Sequence, residues 1–498
     1  MSKLKIGWAE ESLVPEKKVN LAGQFIDRIS QYVEDDITAT AMAVEADGDV
    51  MILVSCDVVK VSTAAMETIR EKLIAAAPDF PVEKLIVSAT HSHTSLSIAD
   101  PKPFGPYGSG STAAILQEFI PGVKVKKENL VDDTVMTPME NFAFFTTKVA
   151  LAAKSAWDNR QDALMANEFG RAAVGMCRRV SYLGGSSEMW GDTNRADFAA
   201  LEGGNDSGIE LIYTFNTRKE LIGVAANIAC PAQILEHRTF ISGDYWAKVR
   251  KTLEEKMGRK IFVLGLCGAG GDQCPRDLVR WVEPETPIHD PNVSRPNVIP
   301  HKADPSMYDL SGCRRVGKRI ANEILSVLEE VTEYQDEAVL QHKVMPLSLP
   351  LRKATKEEHD KAVREIEIFA DRNRGKEYLN YEDIAKMYVH AGTISRYRFQ
   401  QMAEIYPMEL HVVRLGNIAM VTNPFELFLD YGNRMKARSL AEQTFIVQLA
   451  CGAGAYLPTE KAEKAGHYSA YISSGFVGHE GGDLLTRVSI DEINKLFR

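Results

Sequence analysis

"KLIVSATHSHTSLS", residues 84–97, runs a short apolar stretch into two histidines one residue apart. In a β-strand the side chains at i and i+2 share a face, so a strand ending here would aim His91 and His93 at one point. The surroundings set the fold class. "DVMILVSCDVV" (49–59) reads as a strand and "STAAMETIREKLIAAA" (62–77) has helical periodicity, so with "KLIVSAT" the three make a βαβ unit of an α/β layered core.

Outward from that unit the same alternation continues. A long helix is predicted over "NFAFFTTKVALAAKSAWDNR" (141–160). "IELIYTF" and "LIGVAANIAC" (209–215 and 221–230) are too close for a helical crossover and read as a hairpin, which makes the sheet mixed. A helix "YWAKVRKTLEEKM" (245–257) and a strand "KIFVLGL" (260–266) lead to the glycine-rich turn "CGAGGDQCP" (267–275). Residues 281–310 read as a long loop or lid, and 355–403 as a mainly helical insertion, before the hairpin "MELHVVRLGNIAMVTNP" (408–424). With no repeat and no low-complexity tract, residues 1–498 are expected to form a single catalytic-type domain.

Composition narrows the function. The chain has 498 residues and a formal charge of −10, from 68 acidic and 58 basic side chains. No extended basic stretch could neutralise a phosphate backbone, so nucleic acid is not an expected partner. No stretch of about 18 apolar residues predicts a membrane span. Seven cysteines without framework spacing, and no signal-peptide stretch before Glu10 and Glu11, predict free thiols in a cytoplasmic protein.

Four apolar runs end in unusual chemistry: "KLIVSAT" at His91 and His93, "LIGVAANIA" at Cys230, "KIFVLGL" at Gly271-Asp272-Gln273-Cys274, and "NIAMVTN" at Pro424-Phe425-Glu426. Strand ends on one edge of a sheet are where α/β folds place their sites. Singly, each has a plainer reading: a hydrogen-bonded histidine, a small buried thiol at Cys230, a turn residue at Asp272, a helix-start carboxylate at Glu426. Pro275 and the missing Lys-Ser/Thr pair argue against a nucleotide loop at the glycines. Close backbone approach, with free N–H groups facing a substrate, fits them better.

These motifs resemble, in order, those of the neutral/alkaline, non-lysosomal ceramidase family. "VSATHSHTS" is similar to its A-T-H-T-H-S-G segment, "GAGGDQCP" to G-D-x-S-P, "NPFELF" to P-G-E-F, and "AYLPTEKAEKAGHYSAY" to Y-x-x-T…H-Y-E-G. "ANIACPAQILEHRTFISGDYWA" resembles F-A-V-H-x-T…I-S-S-D-N-x-G-Y-A. The resemblance runs from about residue 5 to 490. It implies an α/β, mixed-sheet layered catalytic domain of neutral-ceramidase type, and a zinc amidase whose metal-activated water attacks the acyl bond.

Carried over, the family's zinc ligands fall on His91, Glu426 and Tyr456, and its other zinc histidine on Cys230. Thiolate is itself a good zinc donor, so the four-donor set survives the change, with zinc or another divalent transition metal as the expected cofactor. Cys274 stands at the family's catalytic serine position, beside Asp272, and both are catalytic candidates: Cys274 as a nucleophile or as a residue that positions water, so that either its thiol or the metal-activated water would attack. His93 is the candidate for stabilising the tetrahedral intermediate or relaying a proton, and Tyr468 for donating to the carbonyl oxygen, although the residues after Tyr468 are Ser469-Ala470 rather than E-G. The substrate-binding arginine matches Arg178 or Arg179, with Gly271 and Gln273 lining the same turn.

The resemblance stops short of the C-terminal β-sandwich domain of the longer family members, so a single catalytic domain without that sandwich is expected, and with it a small soluble amide, ester or lactone rather than ceramide as substrate. Two readings stay open beside the hydrolase: a metal-dependent sugar isomerase, epimerase or lyase, in which the ion polarises a carbonyl without adding water, and an inactive ligand-binding relative. Oligomeric state is not readable from the sequence.

Overall fold

The computed structural model describes residues 3–24, 27–98, 112–125, 133–279 and 309–498. Its core is a stack of helices, sheet, sheet and helices. The larger sheet contains β1 (Lys5–Ser12), β2 (Thr38–Ala46), β3 (Asp49–Cys56), β4 (Leu85–Ala89), β5 (Gln161–Arg171), β6 (Gly208–Asn216), β7 (Leu221–Ile228) and β8 (Phe262–Cys267), in the order β8-β7-β6-β5-β1-β2-β3-β4. The two outermost pairs, β3–β4 and β7–β8, are parallel, and the pairs between them are antiparallel. The sheet is therefore mixed, with the expected βαβ unit at one edge and the expected hairpin near the other.

A second sheet, which the sequence reading did not separate from the first, contains β9 (Leu340–Pro350), β10 (Ile405–Leu415), β11 (Ile418–Thr422) and β13 (Gln443–Val447). Its inner face packs on the larger sheet through Met42, Val44, Leu53, Leu264, Leu340, Val413 and Phe445. Strands buried on both faces read as continuous apolar runs, so the sequence shows the strands but not which sheet each joins.

Helices cover both outer faces. α1 (Thr63–Ala76) and α3 (Pro138–Asp158) lie on the β1–β4 half, where Ala39, Ala41 and Ala43 are small because the helix comes close. Any Cβ at Gly7 would sit 2.1 Å from the Ala156 carbonyl oxygen, so β1 must have glycine where α3 crosses it. α4 (Asp244–Met257) and α5 (Asp309–Leu328) cover the β5–β8 half, and α8 (Leu429–Arg438) and α9 (His479–Leu496) cover the second sheet. The stretch expected to be helical contains α6 (Lys356–Asn373) and α7 (Tyr381–Phe399), which pack with α2 (Thr112–Phe119) around Leu116, Ile366 and Ile394. Residues 281–308 of the expected lid lie outside the described residues.

Two short parallel strands complete the site frame, β12 (Phe425–Leu427) and β14 (Ala455–Leu457), whose register sets Glu426 directly beside Tyr456. Glu426 is thus on a strand, and helix α8 begins three residues later at Leu429. The helix-start reading of this carboxylate gives way to a cross-strand pair.

Candidate functional site

His91 and His93 do not sit on the strand. β4 ends at Ala89, and His91 adopts a left-handed backbone with φ 66°. The alternation of a strand is therefore not what brings the rings together; a strained turn is, and it leaves the ring centroids 4.7 Å apart. The turn is held by its polar neighbours. Ser92 and Thr94 hydroxyls both donate to the Ser242 carbonyl oxygen at 2.9 Å, Arg28 donates to the His93 carbonyl oxygen at 2.6 Å, and Ala232 N–H donates to the Thr90 carbonyl oxygen at 3.0 Å. The last bond joins the ends of β4 and β7.

The two rings have different jobs available to them. His91 Nδ1 is 2.7 Å from the Val59 carbonyl oxygen, which can only accept, so Nδ1 carries the ring proton. Its Nε2 then faces Glu426 Oε2 at 3.4 Å. A lone pair and a carboxylate facing each other at that distance call for a cation between them, a proton or a metal ion. His93 is buried with neither ring nitrogen hydrogen-bonded, and burial together with neighbouring His91 pushes its pKa down to about 3. It is a neutral imidazole, 3.5 Å through Nδ1 from Glu236 Oε2.

Glu426 and Tyr456 extend the chain of contacts. Burial pushes the Glu426 carboxyl up, but His91, Arg178 and the Tyr456 hydroxyl outweigh it and hold the group below its ordinary value. Burial and Glu426 push Tyr456 well up, and Tyr468, hydrogen-bonded to Tyr456, is also raised, chiefly by burial. Both phenols keep their protons at neutral pH unless a cation intervenes. Arg178 Nη2 donates to Tyr456 Oη at 3.2 Å and to the Gly271 carbonyl oxygen at 2.9 Å, while its buried Nε has no partner.

The glycine turn is a support for this group. A Cβ at Gly271 would lie 2.2 Å from the Glu426 carbonyl oxygen, so the close approach expected of the glycines is real. Their N–H groups are not free, however. Gly268 donates to Ile228, Gly271 to Leu427, and Gly270 to the Gln448 side chain, which also accepts from Leu427 N–H. Asp272 accepts the N–H of Leu429, the first residue of α8, and burial pushes its carboxyl up to about 6. Gln273 donates to the Gly204 carbonyl oxygen at 3.1 Å and keeps a buried, unpartnered Oε1. Cys274 is fully buried, its thiol pushed up to about 12 by burial against the opposing charge of Arg178.

Both arginines of "MCRRVSY" are buried rather than surface charges, and as chain neighbours they diverge. Arg179 forms a two-point ion pair with Glu202 at 2.6 and 3.0 Å and donates to the carbonyl oxygens of Tyr468 and Gly466. It holds the loop of Tyr468 in place, and Arg178 alone reaches Tyr456.

Cys230 is fully buried, its sulfur 3.5 Å from the Pro231 carbonyl oxygen, and burial with Cys274 and Cys267 nearby pushes its thiol far up. It does not form a close donor group with His91 and Glu426. Among the described residues, one group of three His, Cys, Asp or Glu side chains has its ligand atoms within 4.8 Å of one another, and that is Glu409, His411 and Cys451, on β10 and the loop after β13. Sequence reasoning passed over that group, and it passed over Glu236, Gln448 and Tyr388, whose ring lies 6.3 Å from that of Tyr468. "HVVR" within β10 was read only as a strand, and Glu236 carried no local signal beyond its place six residues after Cys230.

No family model matches the sequence, and no curated protein matches it. Solved structures do. The crystal structure of neutral ceramidase from Pseudomonas aeruginosa superposes with a TM-score of 0.66 at 14% identity, over 99% of this chain and 74% of that one. A ceramidase complexed with C2 gives 0.65 at 13% identity, over 99% and 75%. The fold of the chain is that of a neutral ceramidase, α/β with a mixed sheet.

Proposed function

We propose that the chain is a hydrolase that splits an amide, ester or lactone bond of a small substrate with the help of one divalent ion, zinc by preference. The observation that carries this reading is His91 Nε2 facing the Glu426 carboxylate at 3.4 Å, a pair that only a proton or another cation can join, on the neutral-ceramidase fold. The donor chemistry fits such an ion: imidazole, carboxylate and phenol from His91, Glu426 and Tyr456, with Cys230 the proposed fourth. When bound, the ion would act as a Lewis acid toward the scissile carbonyl or a water.

The remaining residues divide the other tasks. Arg178, with one unpartnered N–H and a raised pKa, keeps a permanent positive charge where negative charge develops. His93, neutral and unpartnered, moves a proton, and Glu236 orients it. Tyr468 donates to the carbonyl oxygen. Gly271 and Asp272 fix the backbone of Glu426 and the start of α8. Among the described residues no helix is long and apolar enough to cross a membrane.

Metal content and isotope incorporation test the reading together. Protein purified without added metal is expected to hold about one zinc per chain, and turnover in ¹⁸O-water of a panel of N-acyl, ester and lactone compounds should place the label in the acid product. Bound metal with turnover but no label would move the assignment to the isomerase or lyase. A folded chain without metal or turnover would leave only a binding role.

A further inference from the structure

We infer that Arg396 and Ser473 form an anion subsite beside the His91–Glu426 site, so that the substrate carries a carboxylate or phosphate group apart from the bond that is split. The inference takes the reaction from the hydrolase reading and adds the substrate class. Arg396 of α7 is 6% exposed, yet among the described residues its guanidinium has neither a carboxylate partner nor a hydrogen bond.

Helix periodicity builds the subsite. Tyr388, Gly392 and Arg396 recur at four-residue intervals and line one stripe of α7, which packs on residues 468–476. The Tyr388 ring lies 6.3 Å from that of Tyr468, and its hydroxyl donates to the Ser473 carbonyl oxygen at 3.4 Å. At Gly392 a Cβ would sit 2.4 Å from Ser473 Cβ, so glycine lets the helix close on the short 3₁₀ turn Ile472–Ser474. One turn on, the Arg396 guanidinium lies 3.3 Å from the centroid of the Phe476 ring.

What surrounds the guanidinium does not satisfy it. The Phe476 face meets its charge, but a ring face takes none of the five N–H donors that lie in the guanidinium plane. Burial pushes the group down to about 10 against the opposing pull of Tyr388 and Tyr406, and it stays protonated at neutral pH. The Ser473 hydroxyl, buried against the same stripe, has no hydrogen-bond partner either. A buried cation and a buried hydroxyl without partners, on one face, cost stability and persist where a ligand joins them. A carboxylate or phosphate does so, accepting the paired N–H groups of the arginine and the serine O–H together.

Tyrosines connect the subsite to the reaction centre. Tyr456 stands beside Glu426, the Tyr468 ring is 5.5 Å from that of Tyr456, and the Tyr388 ring follows at 6.3 Å. Tyr388 feels both ends: burial pushes its hydroxyl up most, Arg396 pulls it down and Glu426 pushes it up. Long helical side chains lean toward the helix N-terminus, which carries the Arg396 guanidinium back toward Tyr388. The substrate is therefore an elongated acid, with the anionic group and the scissile bond at opposite ends of a middle that lies along aromatic rings.

The test is calorimetric titration of the full-length protein with glutarate, with glutaramide as its uncharged counterpart, and with inorganic phosphate as the other anion. Glutarate or phosphate is expected to bind at least about tenfold more tightly than glutaramide, and the tighter of the two names the group. Arg396→Met should abolish that preference without lowering the melting temperature, since the charge it removes has no counter-charge. Ser473→Ala, which removes only an unpartnered hydroxyl, should weaken anion binding about three- to tenfold. Equal binding of glutarate and glutaramide with phosphate no tighter overturns the inference without need of a variant, and so does anion binding that survives Arg396→Met, which would place the anion at the metal. Equal turnover of acids and their amides would overturn this inference alone, whereas anion binding lost in Arg396→Met, with no turnover of any N-acyl, ester or lactone compound, would uphold the subsite and overturn the hydrolase reading alone.

Discussion

Two histidine clusters in this chain differ in how their charges are matched. At Glu409, His411 and Cys451 the bonding groups are matched: Arg70 grips the carboxylate, and His411 bonds Glu409 and His342 through its two ring nitrogens. At His91 and Glu426 the matching is incomplete. His91 Nε2 and a carboxylate face each other where a proton or another cation must join them, both nitrogens of His93 are unpartnered, and so is Arg178 Nε. Unsatisfied buried groups are costly, so they persist where a ligand completes them. Counting donor residues would choose the first cluster as the metal site, and counting unmet bonding capacity chooses the second.

The largest effect expected from breaking this contrast comes from removing a donor. His91→Ala and Glu426→Ala should each lose the bound metal and lower kcat/KM by about 10³-fold or more, with the melting temperature little changed because both side chains lie beyond the two large sheets. Glu409→Ala should leave metal and turnover nearly intact and destabilise the fold instead, since it strands Arg70 and His411. Metal analysis, kinetics and thermal melts on the three variants decide it. The reverse pattern would exchange the roles of the two clusters.

Next in size is Gly271→Ala. The new methyl group would have to sit 2.2 Å from the Glu426 carbonyl oxygen, and both partners are backbone. A cost of about 3 kcal/mol is expected, together with weaker metal binding, because the carboxylate moves with its strand. Unchanged stability would mean that β12 has slack, and with it the geometry on which the site reading depends.

How much of this was legible in the sequence follows from what is local. "KLIVSAT", "KIFVLGL" and the hairpin strands are short runs whose apolarity marks them whichever neighbour they pair with. The site residues at their ends could be named for the same reason, and Gly271 could be read as a close approach. Convergence is not local. His91 meets Glu426 through a left-handed turn that no periodicity announces, and Glu236, Gln448 and Tyr388 arrive from separate elements. Burial was not legible at "RR" either, because an arginine pair looks like surface until Glu202 and the Tyr468 loop are in place around Arg179.

Cys230 sharpens the comparison at smaller amplitude. If its sulfur is the fourth donor, Cys230→Ser should weaken metal binding by about 10–100-fold, and Cys230→His should recover part of it. If it is a small buried residue, Ser should be nearly tolerated and His should overpack a position where Gly175 already approaches. Metal affinity and melting temperature rank the two variants in opposite orders under the two readings. A tolerated Ser with a damaging His would remove Cys230 from the metal set and leave His91, Glu426 and Tyr456.

The smallest expected effect concerns the matched cluster and its response to pH. His411 is raised from 6.5 to about 9, so its contribution to stability is fully present below about pH 6.5 and is lost as pH rises through about 9. His342 is pushed from 6.5 down to about 3, chiefly by burial and next by His411, so its contribution is present above about pH 6.5 and is lost as pH falls toward 3. The pair should therefore give a shallow stability maximum near pH 6.5, with limbs of about 1–2 kcal/mol once the partly exposed Arg70–Glu409 end is allowed for. Denaturant melts from pH 5 to 9.5 would show it, and Glu409→Gln should flatten the alkaline limb while leaving the acid limb in place. An alkaline limb that persists unchanged in Glu409→Gln would mean that Glu409 does not help to hold the charge on His411, and the contrast between a matched and an unmatched cluster would fail at its matched end.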